Sequence, residues 1–119
     1  MDDVPMPVLI ASGEHLVVEY ANRKALLLIE NESDNVTGRH LQEIFPTVFS
    51  SEAVKEIYGR SVLEGAGHLL NERQVIVPDS EKPKTLWFNV DINPLRDDEG
   101  RPIGVVLFFS DVTDQLVSK

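Results

Sequence analysis

Residues 86–109 constrain this chain more than any other stretch. Leu86, Phe88, Val90 and Ile92 alternate with Trp87, Asn89, Asp91 and Asn93, the period-two pattern of a strand with one buried face. The run passes through Asn93-Pro94-Leu95-Arg96-Asp97-Asp98-Glu99 to Gly100, a residue suited to the positive-φ position of a turn. It returns as Ile103–Phe109, apolar on both faces. Such a strand is usually central in its sheet and covered on both sides. The long hairpin then stops at a polar exit, Ser110-Asp111-Val112-Thr113.

Upstream, Val8-Leu9-Ile10-Ala11 is a short apolar run closed by the turn pair Ser12-Gly13. Leu16, Val18 and Tyr20 then alternate with Val17, Glu19 and Ala21, close enough to the first run for a hairpin. Asn22 is placed to cap a helix through Ala25, Leu26, Leu28 and Ile29. Glu30 to Asn35 is polar and reads as loop. Gly38 precedes Leu41, Ile44 and Phe45, one face of a short helix that Pro46 stops. A longer helix is predicted from about Ser51 to Glu64, with Val54, Ile57, Tyr58, Ser61 and Val62 as its buried stripe. Glu52 sits in its first turn, and Gly65 and Gly67 supply the stop. Leu69 to Val77 reads as a strand ended by Pro78. The pattern is that of an α+β domain with an antiparallel sheet.

Composition narrows the function. At 119 residues the chain is one domain with a core that needs no staples. Its net charge of −9 makes it a poor partner for nucleic acid or an anionic membrane. It holds no cysteine, which excludes disulfides, thiolate metal sites and cysteinyl adducts. Its apolar runs are too short to span a bilayer, and its acidic start is unlike a secretory signal. A cytoplasmic location follows, with the parent protein free to be membrane-anchored.

Five segments together resemble the PAS family over about Pro5 to Gln115. They are Tyr20-Ala21-Asn22; Gly38-Arg39-His40-Leu41 with Ile44-Phe45-Pro46; Asn93-Pro94-Leu95-Arg96-Asp97; the Gly100–Gly104 turn; and Asp111-Val112-Thr113. The resemblance implies a five-stranded antiparallel sheet in the order 2-1-5-4-3, with short helices and one longer helix on one face. It divides the chain into a PAS domain at 1–113 and the start of a truncated signalling helix at 114–119. Similar domains serve bacterial sensor histidine kinases of two-component systems, cyclic-dinucleotide enzymes and transcriptional regulators. They bind a small ligand or form homodimers, and bias a C-terminal effector domain through the helix after the exit motif.

Carried to this chain, the resemblance puts a ligand pocket at Phe45, Ile57, Tyr58, Ser61, Val62, Phe88 and Val90. The same side chains would otherwise simply pack the core. Without cysteine, the flavin-cysteinyl and coumarate types are excluded. Haem would need His40 or His68, for which a solvated or hydrogen-bonded role is the simpler reading. Trp87 points away from the Leu86–Phe88–Val90 face and is expected beside Val106 or Phe108, an apolar dimer face covered by a second protomer or by residues around Val4 to Met6. Asp111 and Thr113 form the signal exit, with Thr113 the simplest helix cap and Leu116 and Val117 the start of an apolar seam. The Asp97-Asp98-Glu99 tip reads as solvated rather than cation-binding. No nucleophile, phosphate loop or paired carboxylates appear, so no catalytic and no metal-binding residues are assigned. Two other readings remain: a ligand-free dimerisation scaffold and, more remotely, a small proton-transfer enzyme using Tyr20 or Tyr58.

Overall fold

The structure is a computed structural model describing residues 6–28, 36–77 and 82–117. Its strands are β1 (Val8–Ser12), β2 (Val17–Ala21), β3 (His68–Val77), β4 (Lys84–Arg96) and β5 (Pro102–Asp111). They form one antiparallel sheet in the order β2-β1-β5-β4-β3. The α+β architecture and the strand order are those expected. The helices are α1 (Arg23–Leu27), α2 (Leu41–Ile44), α3 (Ser51–Ile57) and α4 (Thr113–Val117).

The sheet's inner face follows from the register. Leu9 of β1 faces Leu107 of β5, which faces Ile92 of β4, and all three are fully buried. Val105, Phe109, Phe88 and Val90 extend this layer, and Leu41, Phe45, Phe49 and Ile57 cover it from the helical side. Phe109 sits among three other rings, with centroids 5.4 Å from Phe45, 5.8 Å from Phe88 and 6.5 Å from Phe49. The 103–109 run is central, as predicted, but its outer residues Val106 and Phe108 are only half-buried. The Asp97–Gly100 turn places Gly100 at φ 82°, as its residue type allows.

Asn22 does more than cap. Its Oδ1 accepts from the Ala25 amide (2.9 Å) and from the Val8 amide (3.0 Å), and its Nδ2 donates to the Met6 carbonyl (2.9 Å). One fully buried side chain thus joins the start of α1 to the start of β1. The segment 38–41 lies along β2. Gly38 donates to the Val18 carbonyl, Val18 to the Arg39 carbonyl and Leu41 to the Leu16 carbonyl, at 2.8, 2.8 and 3.1 Å. These bonds seal a sheet edge that would otherwise present unpaired backbone groups.

Three local expectations need correction. Leu16 lies outside β2, at φ 50°, because its amide closes the turn onto the Gly13 carbonyl while its side chain drops into the core. The predicted helix from Ser51 to Glu64 is two structures. α3 ends at Ile57 and continues as a π-helical turn, Tyr58–Leu63, in which Glu64 donates to the Gly59 carbonyl five residues back. Gly59, a poor helix former, stands at its start. The third concerns β3, which carries a register shift between Leu70 and Arg73, with Glu72 at φ 53°. The readings for Ile29, Glu30 to Asn35 and Pro78 fall outside the described residues.

Candidate functional site

The seven pocket candidates do come together. Phe45, Ile57, Val62, Phe88 and Val90 belong to one buried cluster, and Tyr58 packs against it. Ser61 is fully buried beside them, and its hydroxyl has no hydrogen-bond partner. The rings of Phe45 and Phe88 pack through Phe109. Sequence reasoning missed Phe49 and Phe109, although both are fully buried at the centre of this cluster. Phe109 lay in a strand whose two apolar faces could not be told apart, and Phe49 lay between predicted helices.

The exit works differently from a simple helix cap. Asp111 Oδ1 accepts from the Thr113 amide (2.9 Å), an Asx turn that leads into the helix one residue before the cap position. Thr113 is itself the first helical residue of α4 and is not the cap. Its hydroxyl turns sideways and accepts from the Trp87 amide (2.9 Å), while the Val112 amide donates to the Trp87 carbonyl (2.8 Å). Residue 87 of β4 thus holds the start of α4 by two backbone groups. The seam expected at Leu116 and Val117 concerns side chains outside the described set.

The proposed dimer face splits in two. Trp87 lies beyond the last β4–β5 pair, Phe88 with Asp111, whereas Phe108 faces Asp91 and Val106 faces Asn93. Four residues of strand, about 14 Å, separate Trp87 from the Phe108 level, so the expectation that Trp87 adjoins Val106 or Phe108 is wrong. Register, not alternation, decides that distance. Val106 and Phe108 instead adjoin Ile10 and Val8 of β1. Met6 is half-buried, while residues 4 and 5 lie outside the described set.

The remaining candidates have local roles. His40 stacks on His15 with ring centroids 5.4 Å apart, and His68 opens β3 opposite Ile92. Asp97 Oδ1 accepts from the Glu99 and Arg101 amides, and Arg101 pairs with Asp97 and Glu99. The Asp97 and Glu99 side chains are thus engaged by their own turn. Arg96 ties this hairpin to the end of the π-helical turn by donating to the Gly100 and Gly65 carbonyls (2.9 and 3.2 Å). Nothing in the residue pattern signals a further feature, a cavity of about 420 Å3 between the α2–α3 corner and β3.

A family model for the PAS fold matches residues 1–116. The chain belongs to the PAS family. No curated protein matches it. Among solved structures it is similar to the Vibrio cholerae VqmA dimer at 21% identity and TM-score 0.77, covering 98% of this chain and 52% of that one. VqmA has also been solved bound to DPO and in a complex with ligand and DNA. A PAS domain from Colwellia psychrerythraea aligns at 12% identity and TM-score 0.72, over 95% of this chain and 91% of the other. A sensory box sensor histidine kinase from Vibrio cholerae aligns at 17% and 0.66, over 94% and 86%. At these identities the likeness is one of fold. This PAS domain spans about half the length of the VqmA chains it matches. Among the described residues, no helix is long and apolar enough to cross a membrane.

Proposed function

We propose that this PAS domain is the cytoplasmic sensor and dimerisation module of a bacterial signalling protein, most nearly a sensor histidine kinase of a two-component system. A ligand or partner shifts the sheet, and the shift changes the angle or register of the helix after Thr113. The observation that carries this is the double hold of Trp87 on Val112 and Thr113, which makes the start of α4 follow β4. The similar sensor histidine kinase supports the kinase context, and VqmA supports a small ligand and a dimer. The domain itself performs no chemistry in this reading. Its charge of −9 disfavours contact between this segment and DNA. VqmA is solved with DNA over a chain about twice as long, so the exclusion of nucleic acid is not extended to the parent protein.

The test is autophosphorylation of the full-length parent carrying Asp111→Ala or Thr113→Val. Output should change by about 5- to 150-fold, the range of a typical allosteric coupling, with the melting temperature of the domain nearly unchanged. Unaltered output in both variants rejects the relay. A second reading, a ligand-free scaffold holding two effectors in register, is favoured by the ring packing around Phe109. It predicts that output responds to dimer-face substitutions and to no small molecule.

A further inference from the structure

The cavity beside β3 shares only Phe45 with the expected pocket. Its floor is apolar and buried at Leu28, Phe45 and Val75. Ile44 and Ile76 stand at its wall, and Ile76 is 51% exposed, a large apolar side chain left partly in water. The polar side chains in the lining are Glu43 and Thr47. Thr47 Oγ1 spends its proton on the Gln74 carbonyl (2.9 Å), so it offers the cavity only lone pairs. Glu43 offers a carboxylate, half-exposed and 3.7 Å from Arg39 Nε, while Arg39 is not part of the lining. Among the described residues, every side-chain polar group in the lining is therefore an acceptor, and none is a cation.

That chemistry selects a donor. An apolar body would displace water from Leu28, Ile44 and Ile76, and an N–H group would meet Glu43 and Thr47. A carboxylate or phosphate would meet the Glu43 carboxylate, and the cation beside it, Arg39, is already paired to Glu43 and lies outside the lining. The volume suits a molecule of the size of a small arylalkylamine.

One lining residue, Thr47, leads to the exit. Thr47 is bonded to Gln74, Gln74 pairs with Trp87 across β3 and β4, and Trp87 holds Thr113 and Val112. We propose that this cavity is an effector site for a small apolar amine, and that the line Thr47–Gln74–Trp87–Thr113 carries its occupancy to α4. The proposal rests on the relay reading above and names where the signal enters. Each contact in the line is a backbone group or a short hydroxyl, so a displacement of the α2–α3 corner is passed on with little slack.

The test is amide NMR of the 119-residue chain titrated with phenethylamine and, separately, with hydrocinnamate. Phenethylamine should move the amides of Ile44, Thr47 and Ile76, and also those of Trp87 and Thr113; hydrocinnamate should move none of them. Glu43→Gln, at a half-exposed site that leaves the core intact, should weaken phenethylamine about three- to tenfold, the range for losing a partly solvated charged hydrogen bond. Thr47→Val should keep the shifts at Ile44 and Ile76 and abolish that at Thr113. Shifts centred on Tyr58 and Ser61 would overturn the site while leaving the relay reading intact, as would equal binding of the two probes. A Thr113 shift surviving in Thr47→Val would overturn the line. Failure of the relay itself is read separately, in the Asp111→Ala kinase assay.

Discussion

Single atoms carry much of this domain's stability. Asn22 satisfies two amides and one carbonyl with one buried side chain. Asn22→Ala removes a helix cap and leaves the Val8 amide buried without a partner, and should cost about 2–4 kcal/mol in urea denaturation. Asn22→Asp keeps both accepted bonds but loses the donor to Met6, and should fall between the two. Gly104 is needed for contact rather than conformation, since a Cβ there would overlap the Ala11 carbonyl oxygen across the β1–β5 pair. Gly104→Ala should therefore destabilise by about 2 kcal/mol or more as the strands part. Ser61 has the opposite sign. Its unbonded hydroxyl opposes folding, so Ser61→Ala should be neutral or stabilising by up to about 1 kcal/mol. A clear loss of stability would show that the hydroxyl has a partner in solution.

At the level of elements, the chain was legible where burial is a local pattern. The alternation from Leu86 to Ile92 and the run from Ile103 to Phe109 identified β4 and β5 because a strand's faces repeat every two residues. The same pattern says nothing of register. The position of the turn after Arg96, with a one-residue shift between Leu95 and Arg96, sets which residue meets which, and that places Phe108 opposite Asp91, four residues along β4 from Trp87. The π-helical turn was hidden for a related reason: Val54, Ile57, Tyr58, Ser61 and Val62 keep an inward stripe whether the last turn has four or five residues per hydrogen bond. The cavity was beyond reach because Thr47 and Gln74, 27 residues apart, meet only in the fold. At the exit, Thr113→Ser should preserve the bond to the Trp87 amide, whereas Thr113→Val should release α4. Amide exchange at Trp87 should then quicken in the valine variant alone, by about tenfold for a lost bond of ordinary strength.

For the whole molecule, the acidic surface and the half-buried outer sheet pull in different directions. Net charge keeps copies apart, while Ile10, Val106 and Phe108 form an apolar band across the two central strands. If that band is the dimer face, Phe108→Glu should shift the sedimentation profile to monomer, and Trp87→Ala, from the far end of β4, should do less. An unchanged profile in the glutamate variant would remove the outer sheet from the interface. The hold on the exit helix has a separate consequence. Residue 87 grips α4 with its amide and carbonyl, groups that every residue except proline possesses in full. Its indole is therefore surplus to that task. A lineage could rewrite the side chain at this position to suit a new partner, and the message delivered to the helix would keep its meaning.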